Sequence, residues 1–552
     1  MKKVLLILFC SLLVIKLFLT FLIPIPLGYS DSLAYMEQAK EFFETGSITH
    51  VVETAKFPPL YAIVISPAFM FQDMDKLFFM IKCINILLSS LVIFPSYFLA
   101  REFLNKKTSL LIATATAFLP FLFTVTFFPL SENLYIILLI STMYFIYKAL
   151  EKKEKKNIFF AGLGTALCLM TRTFAITIFI ALILLLTYLL YTKNKEQIKR
   201  TACILLSSIL FSLPYISLIF SKIKNNGYST EIHTASATSI YFTKVVWVFL
   251  YMNYLIIALG IIGFILCIQV FLHLKKYDAK EKVFILLIFF FSIATILLAA
   301  NNSGNSPLTQ YNDHRVIGRY LSTLLPFLLI IIGIAWEKTK QISKKATIFT
   351  AIYLSIATPL MLFGTFFPIN NTEWIGIEIL KILFGYPNIW ATIGITLLLL
   401  LITCSFFAVK KIKTNTLLIT LICYFITISL LNTAAVIYDA QIRWQPLEEI
   451  QLGHWINENL PSDAKFIIDR DNLECFKEQT NEDRTNEYDR PIGIIAYGIR
   501  GEIINKDEML FPCTKMESYK DFSYFITTKD LGLEKVKEGE TIKIYKINNG
   551  RE

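Results

Sequence analysis

Apolar runs about as long as a membrane crossing alternate along this chain with short polar segments. They fall at Val4 to Ile23 and then at 77–100, 109–128, 134–147, 201–220, 245–272, 283–300, 320–336, 346–366, 389–409 and 416–437. A hydrocarbon core of ~30 Å takes about 20 helical residues, so each run reads as a span. The run from Ile158 to Tyr191 is different, because as one helix it would extend ~50 Å. It must bend, and Thr171-Arg172-Thr173 interrupts it. Both its flanks, Lys148 to Lys156 and Lys193 to Arg200, are strongly basic, which places both on one side and makes the segment a hairpin with Arg172 at its tip. The expected architecture is an α-helical polytopic membrane protein with about 13 transmembrane helices.

Two stretches break this rhythm. Between the first two spans, Gly28 to Tyr61 is charged and amphipathic: Asp31, then a helical pattern of Leu33, Met36, Ala39 and Phe43, a Gly46 stop and a Pro58-Pro59 break. From Tyr438 a helical segment, Leu447 to Leu460, precedes strand-like runs at Phe466 to Ile468, Ile492 to Tyr497, Tyr524 to Thr527 and Thr541 to Ile547. The expected domains are a transmembrane part, 1–437, and a small soluble C-terminal α/β domain, 438–552. The loop Phe367 to Asn388 reads equally as an interfacial helix or as a segment partly buried against the spans.

With 55% hydrophobic and 17% charged residues and a mean hydropathy of +0.58, the chain is no ordinary soluble protein. Its net charge of +11 has two parts. The tail from Tyr438 carries 16 Lys+Arg against 23 Asp+Glu, leaving 37 against 19 for the rest. That distribution belongs to basic inner loops rather than to nucleic-acid binding, and no nucleic-acid partner is expected. Arg101 to Lys107, Lys148 to Lys156, Lys193 to Arg200, Lys275 to Lys282, Glu337 to Lys345 and Lys410 to Lys413 are all net basic. The N-terminus is therefore expected in the cytoplasm and the acidic tail outside. The first run lacks a small-residue cleavage site and reads as a retained helix. Sequons at Asn301 and Asn370 fall on expected outer loops. Of nine cysteines, Cys475 and Cys513 lie in the polar tail, where a disulfide between them stays open.

The chemistry gathers at the outer face. Asp31, in Ser30-Asp31-Ser32, is either a helix cap or a catalytic carboxylate. Glu132, in the short turn after Pro129, also has a capping alternative. Arg172 should lie within the outer leaflet, where a lone charge costs ~2.5–3.5 kcal/mol, so it is either functional or paired with Glu132 or Asp31. Arg319 opens a span at its N-terminal end, where the helix dipole calls for an anion nearby. His314 and Arg315 share its loop. Cations that hold a departing phosphate, with a carboxylate that takes a proton from an attacking hydroxyl, suit sugar transfer from a lipid phosphate.

In this order, Asp31-x-x-x-Tyr35, Pro58-Pro59-Leu60-Tyr61, Glu132, the Arg172 hairpin and Gly318-Arg319-Tyr320-Leu321 with Pro326 resemble the GT-C glycosyltransferases over roughly residues 1–340. The likeness is greatest to the protein O-mannosyltransferases and the lipid A aminoarabinose transferases. It implies a polyprenyl- or dolichyl-phosphate sugar donor, an extracytoplasmic site in a cell membrane, and Asp31 as the catalytic carboxylate. Glu132 is then the second acid, orienting Asp31, the acceptor or a metal. Arg172 and Arg319, with Arg315 and His314, form the donor-phosphate grip, and Tyr35, Lys56 and Tyr320 are further candidates. Ser32 stands where protein O-mannosyltransferases carry a second acid, and Phe57 where a basic residue usually precedes the prolines. The acceptor is a glycan, lipid or protein, and a divalent metal is the one candidate cofactor. The rival readings are a lipid-linked sugar flippase or transporter, which should show midplane charges and repeated halves, and a non-catalytic envelope-assembly protein.

Overall fold

The structure, a computed structural model, describes residues 2–23, 30–54, 57–71, 73–152, 154–226, 237–303, 318–339, 342–362, 402, 414–438, 440–441, 448–460, 466–468, 524–527, 534–539 and 543–546. Seven helices among the described residues are long and apolar enough to cross a membrane, or nine if each of two bent pairs is one span. The expected runs at 367–388 and, apart from Ile402, 389–409, with Ile492 to Tyr497, Cys475, Cys513 and Asn370, lie outside the described residues.

The first span is α1 (Lys2–Phe21). The charged insert forms α2 (Ser30–Thr45) and α3 (Ile48–Thr54). Gly46 ends α2 with φ of 63°, a left-handed backbone conformation that favours glycine. After the double proline, α4 (Leu60–Ile65) is a short helix of its own and not the start of the next span. That span is α5 (Met74–Leu91) continued by α6 (Ile93–Arg101). The run at 109–128 breaks into α7 (Lys106–Ala117) and α8 (Pro120–Thr124), with the helix pair bent by 56°. Pro120 explains the break, since proline disfavours helical geometry at the residue before it, and Leu119 has ψ of 128°.

Next come α9 (Glu132–Glu151), α10 (Lys155–Thr171), α11 (Ile176–Tyr191) and α12 (Lys195–Asn226). The interruption at Arg172 occurs where the sequence places it. The run at 245–272 is not one straight helix: α13 (Ala237–Leu272) has Gly260 at φ of 68°, and its arms Lys244–Ile256 and Ala258–Leu272 lie 102° apart. Then follow α14 (Ala279–Ser303), α15 (Gly318–Ser322), α16 (Leu325–Thr339), α17 (Lys344–Leu362), α18 (Thr414–Tyr438) and α19 (Glu448–Asn459). Asn301 therefore belongs to the last turn of α14 rather than to a loop. Its side chain accepts a hydrogen bond from Lys244 Nζ at 2.8 Å.

Strands β1 (Phe466–Ile468), β2 (Tyr524–Thr527), β3 (Lys535–Glu538) and β4 (Lys543–Lys546) form one sheet in the order β1-β2-β4-β3. The β1–β2 pair is parallel and the others are antiparallel. β3 has no counterpart in the sequence reading because Lys-Val-Lys-Glu carries too little apolar signal.

By contacts the chain divides into two compact units, one of Met1–Val14, Leu87–Thr126 and Ser131–Thr433, the other of Ile15–Ile86, Phe127–Leu130 and Ala434–Glu552. In the first unit α10 packs between α9 and α12, and α11 packs on α12 and α14. Glycine permits the close approach of α10 to α12: a Cβ at Gly162 would stand 2.8 Å from the backbone carbon of Ser207. Five of the basic loops converge at one end of this bundle. Lys148 Nζ lies 2.8 Å from Glu102 Oε2 and 3.4 Å from Glu151 Oε2, and Glu151 also meets Lys280. Arg200 Nη1 donates to the carbonyls of Leu150 and Glu151, while Lys338 reaches Glu281 at 3.2 Å and Asn105 bonds Glu337. Both ends of the α10–α11 hairpin thus return to the same face. Glu132 opens α9 about 30 Å away, at the opposite end.

Candidate active site

In the first unit the site is built on Glu132. It stands in the first turn of α9, where a negative charge is favourable beside the helix N-terminus. It is fully buried, and a carboxylate in such a place needs cations or donors. Arg172 Nη1 contacts Glu132 Oε1 directly, and Arg319 Nη1 lies 3.7 Å from the same oxygen. Arg172 is thus paired with Glu132, one of the two partners offered by the sequence.

Local backbone puts each guanidinium there. α10 stops at Thr171, Arg172 is extended (φ −150°, ψ 132°), and a short 3-10 turn, Thr173–Ala175, starts the return into α11. Arg319 rides on α15, a single turn held by Ser322, whose Oγ donates to Gly318 O at 3.2 Å and shares a 2.7 Å hydrogen bond with Tyr254 OH. Tyr320 stacks flat on Phe174, with centroids 4.4 Å apart and planes 6° from parallel. Arg172 lies 5.8 Å and Arg319 5.9 Å from the Tyr320 ring centre, and Arg172 is 6.0 Å from that of Tyr135. Cations over aromatic faces at this range are attracted by the ring quadrupole, the more so when desolvated. The side chains of Glu132, Arg172 and Arg319 are only 1%, 12% and 18% exposed. One carboxylate and two guanidiniums therefore share a nearly dry place. Such an arrangement is suited to receive an anion.

The second unit holds Asp31. It occupies the first turn of α2, half-buried. α2 is anchored by Tyr35, which stacks on Phe57 at 5.0 Å and meets Tyr61 edge-on at 5.2 Å. Gln38 Nε2 donates to Phe57 O at 2.9 Å. Tyr61 OH donates to Asn85 Oδ1, and Asn85 Nδ2 donates to Phe128 O. The candidate Tyr35 is thus a buried packing residue that fixes the helix carrying Asp31. Lys56, His314 and Arg315 lie outside the described residues. Among the described residues no group of three or more His, Cys, Asp or Glu is placed to hold a metal ion.

Tyr135 and Phe174 were absent from the sequence reading. An aromatic one turn after Glu132 and another two residues after Arg172 look like ordinary apolar filling until the first is seen beside Arg172 and the second stacked on Tyr320.

Residues 56–221 match the family described as dolichyl-phosphate-mannose-protein mannosyltransferase. That segment contains Glu132, Tyr135 and Arg172. No curated protein sequence matches the chain. Among solved structures, ArnT from Cupriavidus metallidurans bound to undecaprenyl phosphate is similar with a TM-score of 0.57 at 13% identity, covering 98% of this chain and 97% of that one. Its apo state gives 0.56 at 13%, covering 99% and 98%. The apo oligosaccharyltransferase of Archaeoglobus fulgidus gives 0.46 at 12%, covering 94% and 69%, too distant to carry an argument. The chain resembles the GT-C glycosyltransferases, in sequence over the matched segment and in fold over nearly its whole length.

Proposed function

We propose that this protein is a membrane glycosyltransferase that moves a single sugar from a polyprenyl- or dolichyl-phosphate donor to an extracytoplasmic glycan, lipid or protein. The observation that carries the reading is the buried Glu132–Arg172–Arg319 cluster, in which two guanidiniums meet one carboxylate. In the reaction the acceptor oxygen bonds to the anomeric carbon as the bond from that carbon to the phosphate oxygen breaks. The bond's electrons leave with the lipid phosphate, where two guanidiniums stabilise the growing charge. Asp31 takes the acceptor's proton. The family match and the ArnT fold support this assignment, and ArnT itself has been captured with undecaprenyl phosphate. A transporter would use charges near the bilayer midplane, whereas this cluster stands at one end of the bundle. The purified protein, given a panel of labelled polyprenyl-phosphate sugars and a membrane extract as acceptor source, should release lipid phosphate from at least one. Failure to turn over any of them rejects the reading.

The same proposal places the cluster outside the cytoplasm, since the basic loops gather at the other end of the bundle. A membrane-impermeant thiol reagent should then label Cys475 and Cys513 in intact cells, after reduction if they are paired. Labelling only in opened cells would reverse the orientation.

A further inference from the structure

Two atoms of the cluster have no use in the account above. Glu132 Oε2 and Tyr135 OH are each buried and each without a hydrogen-bond partner among the described residues. Both residues are 0% exposed. They stand three apart on α9, hence on one face of the helix, and both surround one guanidinium: Glu132 through Oε1 on Arg172 Nη1, Tyr135 with its ring 6.0 Å from Arg172 Cζ. Buried polar atoms are almost always paired, so two orphans one turn apart point to something that binds there.

Their chemistry narrows what it is. An ionised carboxylate oxygen only accepts, and a phenol in this position seeks an acceptor. A phosphate oxygen would suit the phenol but would face the carboxylate as a like charge. A hydroxyl suits both, donating its proton to Oε2 while its oxygen accepts from the phenol.

We propose that Glu132 and Tyr135 recognise a hydroxyl of the donor's sugar, leaving the phosphate to Arg172 and Arg319. This rests on the function proposed above, and the experiment separates the two. Binding of undecaprenyl phosphate, and of a panel of undecaprenyl-phosphate hexoses and pentoses, is measured for the wild type, Arg172→Ala and Tyr135→Phe in nanodiscs. Wild type should bind at least one sugar-bearing probe more tightly than undecaprenyl phosphate. Tyr135→Phe should lose about tenfold for that probe and nothing for undecaprenyl phosphate. Its melting temperature should be unchanged or higher, because the lost hydroxyl has no partner among the described residues. Arg172→Ala should weaken both probes, and its failure to do so counts against the phosphate site instead.

Three results overturn the hydroxyl assignment: no gain from any sugar in the wild type, an equal loss for both probes in Tyr135→Phe, or no loss for either, which is the outcome if water alone fills the place. Should Tyr135→Phe fold poorly, monodeoxy versions of the preferred sugar on wild-type protein decide the matter. One of them should lose about tenfold, and uniform affinity across the series overturns the proposal.

Discussion

Asp31→Asn should lower turnover by at least ~10²-fold, the ordinary contribution of a positioned general base, and leave folding and insertion intact. Asparagine keeps the shape of the side chain and caps helices about as well as aspartate. Only the ability to take a proton at neutral pH is lost. The substitution therefore separates the two roles that the sequence allows for this residue. A helix-end role in α2 predicts an active variant, because the change does not touch the Tyr35–Phe57–Tyr61 aromatic group or the Gln38 bond to Phe57, both of which help to hold α2. The measurement is single-turnover transfer alongside thermal melting. A folded Asp31→Asn protein with wild-type rate would remove Asp31 from the chemistry.

What could be read from the sequence divides along physical lines. Charges in apolar surroundings are expensive, so Arg172 stood out, and the same cost offered Glu132 or Asp31 as its partner. Basic residues at the ends of runs report one membrane side, and the loops holding Glu102, Lys148, Glu151, Arg200 and Lys280 do meet at one end. Hydropathy is blind to direction, however. The apolar content of 245–272 is the same on both sides of Gly260, and nothing in it announces a 102° bend. Nor does a tyrosine inside a span announce that its hydroxyl will lack a partner. Tyr135 and Tyr254 are alike in composition terms; Tyr254 finds Ser322, 68 residues away, and Tyr135 finds none among the described residues. That distinction is made by tertiary packing, which a single sequence does not display.

Glu132→Gln should produce the largest loss of stability, and the pattern of its rescue is more informative than the loss. Removing one partner of a buried ion pair typically costs ~3–5 kcal/mol, because the charge left behind has been desolvated without compensation. Here two guanidiniums are left behind, Arg172 in direct contact and Arg319 at 3.7 Å. The substitution removes one negative charge from beside them, so the ligand-free variant should melt well below the wild type. An anion that binds the folded protein stabilises it by mass action, and the gain grows with affinity. With that negative charge gone, the two guanidiniums should hold a lipid phosphate more tightly. Undecaprenyl phosphate should therefore raise the melting temperature of Glu132→Gln by more than that of the wild type, narrowing the gap between them, while high salt should act on both less selectively. If the two arginines served only to neutralise Glu132, the lipid phosphate would stabilise neither protein. Equal shifts in the two would place the phosphate elsewhere, and a wild-type melting temperature in ligand-free Glu132→Gln would deny the ion pair its structural role.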